Sequence, residues 1–98
     1  MKTKTTVARN ARELAQALGR APVEGEEIEL RSRLNSKIIS AVEEKDLTHD
    51  QAARLARTSR TRITAIMNRN TKDISTDLLL RVLYALGYSA KITFHRAA

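Results

Sequence analysis

The chain has 98 residues, 42% of them hydrophobic and only 3% aromatic, enough for one modest core built by helix-on-helix packing and too little for two domains. It contains no cysteine, which excludes disulfides, zinc fingers and thiol nucleophiles together. No apolar run nears the roughly 20 residues that span a bilayer, and MKTKTTVARN is not followed by an apolar signal core, so the expected setting is cytoplasmic. The formal charge of +7 and the isoelectric point near 10.4 favour a polyanionic partner.

The charge is local. Residues 1–20 carry +4, residues 21–29 carry −4 and residues 54–72 carry +6, with no acidic residue in that last window. Residues 7–18 (VARNARELAQAL) place Val7, Ala11, Leu14, Ala15 and Leu18 on one helical face, with Gly19 placed to stop the helix. Residues 20–27 (RAPVEGEE) hold the only proline beside clustered carboxylates and read as a linker. Residues 1–27 are therefore expected to form an N-terminal helical arm with an acidic linker, and residues 28–98 the main domain.

A second helix is predicted over residues 29–44 from the stripe Leu30, Leu34, Ile38, Ala41, Val42. Thr48 with Gln51 fits a capping box that starts a short third helix over residues 49–56. Ser59 caps a fourth, ending near Arg69, with Ile63, Ile66 and Met67 facing inward. Ser75 caps a fifth, in which Leu78, Leu79, Val82, Leu83 and Leu86 face the core and Gly87 closes the helix. The period then changes: Tyr88, Ala90, Ile92 and Phe94 alternate with polar residues, as in a half-buried strand.

A lone strand leaves a row of backbone donors and acceptors unpaired. Pairing with its own copy across a two-fold axis predicts a homodimer joined through Tyr88, Ala90, Ile92 and Phe94. A strand of another protein is the rival partner, and the EIEL of residues 27–30 a third. The expected fold is all-α: about five helices in a helix-turn-helix bundle, with one C-terminal β-strand paired across a dimer.

Two short helices three or four residues apart, the second basic and small-polar on its outer face, outline a helix-turn-helix. The second helix suits a DNA major groove. Thr61 and Ala65 are small enough to approach base edges and thymine methyls, Asn68 suits a base or a phosphate, and Arg60 a guanine edge or the backbone. Arg57, Arg62, Arg69 and Lys72 read as phosphate clamps, with Thr64 flanking. The helix N-termini after Thr48 and Ser59 offer backbone donors to phosphates.

The stretch LTHDQAARLARTSRTRITAIMNRNTKDISTDLLLRVLYALG, residues 47–87, resembles the XRE helix-turn-helix pattern: a leucine-threonine opening, an Ala-Ala pair, a turn ending in Ser and a later Ser-x-Asp-x-Leu-Leu helix. Within that superfamily it is most similar to the HigA-like antitoxin branch. The resemblance implies a dimeric repressor that binds a palindromic operator and neutralises a RelE- or HigB-like toxin, here through the N-terminal arm. It also implies that Arg60, Thr61 and Ala65 read bases and that His49 stands where a phosphate-contacting Gln is usual. Arg57 stands where the turn of that family often has Gly, so it either adopts a left-handed backbone or the turn differs.

No enzyme, cofactor or metal is expected. His49 and His95 lack companions at ligand spacing, Asp73 and Asp77 read as structural, and Ser59 has no base or orienting acid beside it. The acidic residues Glu24, Glu26, Glu27 and Glu29 either keep a linker soluble or shield a basic protein partner. A stand-alone regulator without a toxin stays open.

Overall fold

The computed structural model describes residues 22–96. Four helices follow one another: α1 (Pro22–Glu44), α2 (His49–Ala56), α3 (Arg60–Met67) and α4 (Thr76–Ala85). The expected helix over residues 7–18 lies outside the described residues.

α1 is longer than its apolar stripe predicts, because it begins at Pro22 and takes in most of the segment read as a linker. The physical reason is positional. Proline at the start of a helix loses only an N–H that has no intrahelical partner there, and its fixed φ suits the first turn. Glu24 then lies in that turn, against the positive end of the helix dipole. The proline and carboxylates of residues 20–27 thus mark a helix start instead of a linker.

The core takes one face from every helix. Leu34, Ile38, Ala41 and Val42 of α1 meet Ala52, Ala53 and Ala56 of α2, Ile63 and Ile66 of α3, and Leu78, Leu79, Val82 and Leu83 of α4, with Ile74 and Leu86 beside the last helix. α1 packs on α3 and α4, and α2 packs on the same two helices. The three alanines of α2 allow close approach of the neighbouring helices. Leu30, the first residue of the expected stripe, stays 37% exposed.

Each helix closes in the same way. The N–H groups of two successive residues past the C-terminus reach back to two late carbonyls: Asp46 to Glu43 and Leu47 to Val42, Arg57 to Arg54 and Thr58 to Ala53, Arg69 to Ile66 and Asn70 to Ala65, Gly87 to Tyr84 and Tyr88 to Leu83. This is the Schellman arrangement, and it needs a left-handed residue at its pivot. Gly87 (φ 94°) supplies it freely, whereas Asp46 (φ 53°), Arg57 (φ 56°) and Arg69 (φ 60°) carry a Cβ into that region.

The C-terminal strand expected across a dimer is not shown in the single chain. Residues 89–96 form neither helix nor strand, and all are exposed, Ile92 at 62% and Phe94 at 91%. A strand requires a neighbour with free backbone groups, and residues 27–30, one candidate partner, lie inside α1. Tyr88 is held differently from a strand residue. Its hydroxyl donates to Glu44 Oε1 at 2.6 Å, and Lys37 Nζ sits 4.3 Å from its ring centroid. The hydrogen bond to Glu44, then that carboxylate's charge and burial, raise the Tyr88 pKa above its ordinary 10.0.

Ile38 is wholly buried where α1 meets the other helices. Replacing it with alanine should destabilise the chain by about 3 kcal/mol through lost transfer energy and the cavity left behind. Chemical denaturation monitored by circular dichroism reads this directly, and a loss within experimental scatter would place Ile38 outside the core.

Candidate nucleic-acid interface

α2, a tight turn and α3 build the surface that carries most of the basic window. Thr48 opens α2 with a reciprocal capping box: Gln51 N–H donates to Thr48 Oγ1 at 3.1 Å and Thr48 N–H to Gln51 Oε1 at 2.8 Å. α2 ends after Ala56, and Arg57, Thr58 and Ser59 make the turn. Arg57 takes the left-handed conformation (φ 56°, ψ 49°), the first of the two options that its place in the turn leaves. Ser59 returns the chain to an extended conformation and accepts the Arg62 N–H at 3.1 Å, which starts α3.

α3 buries Ile63 and Ile66 completely. That orientation turns Arg60, Thr61 and Arg62 outward, and all three are exposed at the first turn of the helix. Ala65 is half-buried and packs against the core, so it lies deeper than a projection opposite the apolar stripe implies. Asn68 is exposed as the residue that ends α3. Of the four residues expected to read bases, Arg60 and Thr61 are exposed side by side on the same turn.

The residues expected at phosphates divide. Arg57, Ser59, Arg62 and Lys72 are exposed. His49 and Thr64 are half-buried and bonded to each other, Nδ1 to Oγ1 at 2.8 Å, a link between the start of α2 and the middle of α3. Arg69 forms the left-handed pivot after α3, and its Nη1 donates to Ser36 Oγ of α1 at 3.1 Å. These three side chains therefore have structural engagements that their sequence context did not reveal.

Two residues that no motif flagged hold α3 and the segment after it from below. Asn35 of α1, 3% exposed, donates through Nδ2 to the Ile66 carbonyl at 2.8 Å. One turn earlier, Arg31 donates from Nη1 to Thr76 Oγ1 at 2.9 Å and from Nη2 to the Thr71 carbonyl at 2.6 Å and to the Ile74 carbonyl. The available signal was weak: a polar pair at i, i+4 beside an apolar stripe, which is equally what a solvated helix flank shows. An open groove of about 800 Å³ lies beside Arg31, between the first half of α1 and residues 69–74, and is lined by Glu24, Glu27, Arg69 and Lys72 among others.

The arrangement offers an exposed row of cations around the N-terminal turn of a helix pinned on its inner face, which suits a polyanion with a groove. Among the described residues no helix is long and apolar enough to cross a membrane. Compared with known protein families, the chain matches the helix-turn-helix domain over residues 18–95. No curated protein and no solved structure matches it significantly.

Arg57→Gly removes a Cβ from the left-handed pivot of the turn at the cost of greater freedom in the unfolded chain. The net expectation is a gain of roughly 0.5–1 kcal/mol in folding stability. Thermal unfolding of the two chains side by side measures it, and a loss of stability would mean that the Arg57 side chain contributes more than its backbone costs.

Proposed function

The chain belongs to the helix-turn-helix domain family, and we propose that it is a sequence-specific transcriptional repressor that binds duplex DNA with α3 in the major groove. The observation that carries this is the outer face of α3. Arg60, Thr61 and Arg62 are exposed together at its N-terminal turn while Ile63 and Ile66 are fully buried behind them. The first turn of a recognition helix is where side chains reach base edges.

In this reading Arg60, Thr61, Ala65 and Asn68 face bases. Arg57, Ser59, Arg62, Arg69 and Lys72 face phosphates, whose neutralisation releases counterions and makes affinity salt-dependent. His49 and Thr64, joined to each other, set the angle between α2 and α3 and leave His49 Nε2 for a phosphate. Anisotropy titration against the DNA upstream of its own gene, with random DNA as control, tests the proposal. Arg62→Ala should weaken binding to both alike and lower the salt slope by about 0.9. Thr61→Ala should instead change the preference between them. Equal affinity for both DNAs in the unmodified chain would sink the reading.

A homodimer fits the same function, because two copies read two half-sites about 10 base pairs, or a multiple, apart. Ala90, Ile92 and Phe94 support it: they alternate along an exposed segment, and pairing with their copies would occupy both the backbone groups and the apolar side chains. Deleting residues 90–98 should convert dimers to monomers in light scattering. A dimer that survives the truncation would place the interface on the helices.

The resemblance to the HigA-like branch extends the proposal to an antitoxin that autoregulates its operon and binds a basic RelE- or HigB-like toxin. The surface that favours this is the first half of α1, where Val23, Ile28 and Leu30 are exposed among Glu24, Glu26, Glu27 and Glu29. Acidic and apolar groups interleaved in this way complement a basic protein.

A further inference from the structure

We infer that Arg31 of α1 is a positioning residue for phosphate binding: it holds residues 69–74 in the shape that presents Lys72 to the DNA backbone. The inference rests on the DNA-binding reading above and adds to it a residue outside both α2–turn–α3 and the basic window of residues 54–72.

The segment between α3 and α4 has little to shape it internally. Past the turn that closes α3 at Arg69 and Asn70, it contains one further turn, with Ile74 N–H donating to the Thr71 carbonyl at 3.0 Å, and Ile74 is its one buried side chain. Arg31 ties this second part of the segment to α1. Its guanidinium reaches Thr71 O, Ile74 O and Thr76 Oγ1 at once, three acceptors spread over six residues of chain. Lys72 lies between the first two of these acceptors, so its backbone is held on both sides while its side chain stays exposed.

A planar fork with five donors can satisfy three divergent acceptors, whereas the three donors of a lysine ammonium radiate from one atom. The bonds also go to carbonyls and a hydroxyl, not to carboxylates, so they leave the positive charge of Arg31 in place. It lines the same groove as Arg69 and Lys72. Glu24 and Glu27 line that groove too, so the part of Arg31 in DNA binding is to fix the backbone that carries Lys72.

The test uses the full chain with Arg31→Gln, Lys72→Ala and the double substitution, each titrated against operator DNA over a salt series, with amide hydrogen exchange of the free protein. Arg31→Gln should speed exchange at Ile74 and leave Leu79 in the core unchanged. It should also lower DNA affinity about tenfold and reduce the salt slope by about 0.9, the contribution of one phosphate contact. The double variant should lose little more than either single one, because both remove the same contact.

A salt slope unchanged by Arg31→Gln, or losses that add in the double variant, would overturn the inference while leaving the DNA-binding proposal intact. An unmodified chain that shows no preference for its operator removes both. Should Arg31→Gln fail to fold, Thr76→Ala deletes only the hydroxyl partner and should shift the same readouts in the same direction by a smaller amount.

Discussion

Asn35 gives up hydration to sit in the core and places its amide on the Ile66 carbonyl, and the position of α3 depends on that bond. Ile66 is near the C-terminus of α3, where carbonyls run out of intrahelical partners. The Asn70 N–H takes the Ala65 carbonyl and the Arg69 N–H also reaches the Ile66 carbonyl, so α1 and the closing turn grip the same end of the helix. Apolar packing alone would let a two-turn helix roll on its neighbours, since burial is non-directional. A buried amide is directional and costly to leave unpaired, so it specifies the roll angle that turns Arg60, Thr61 and Arg62 outward.

Polar ties of this kind recur wherever apolar contact leaves freedom. His49 with Thr64 ties α2 to α3, Arg69 with Ser36 ties the end of α3 to α1, and Tyr88 with Glu44 and Lys37 ties the chain after α4 to α1. The bundle is small, its helices two or three turns long except for α1, and alanine makes up the whole buried face of α2. Such a core supplies modest burial per helix, and hydrogen bonds between helices fix what it does not. The left-handed pivots at Asp46, Arg57 and Arg69 follow the same logic: a turn of fixed geometry is kept although the residue in it is not the one that adopts that backbone most readily.

Caps and core positions are legible in the order of residues alone. Thr48 with Gln51, Ser59 and Ser75 mark helix starts by side chains that take up orphan N–H groups over a few residues of chain, and the α4 stripe of Leu78, Leu79, Val82, Leu83 and Leu86 is buried throughout. Residues 20–27 mislead because proline and glycine signal a break in most contexts, and only its place at the first turn makes proline compatible with helix. Residues 88–95 form no strand within the single chain, because an alternating pattern states which faces a strand would have and says nothing about where the neighbour that pairs with it lies.

What the sequence determined by itself is therefore local: where α2, α3 and α4 begin, which face of each helix is apolar, and that residues 54–72 carry +6 without an acid among them. Those features depend on contacts within about one turn of helix, so spacing encodes them. Only the tertiary structure decided which polar side chains serve the fold and which stay exposed. Arg69 reaches Ser36 across 33 residues of chain and Arg31 reaches Thr76 across 45, and no pattern of neighbours in sequence records a bond of that span. Arginine looks the same on a solvated face as beneath a loop; the difference lies in the carbonyls that packing brings within its reach.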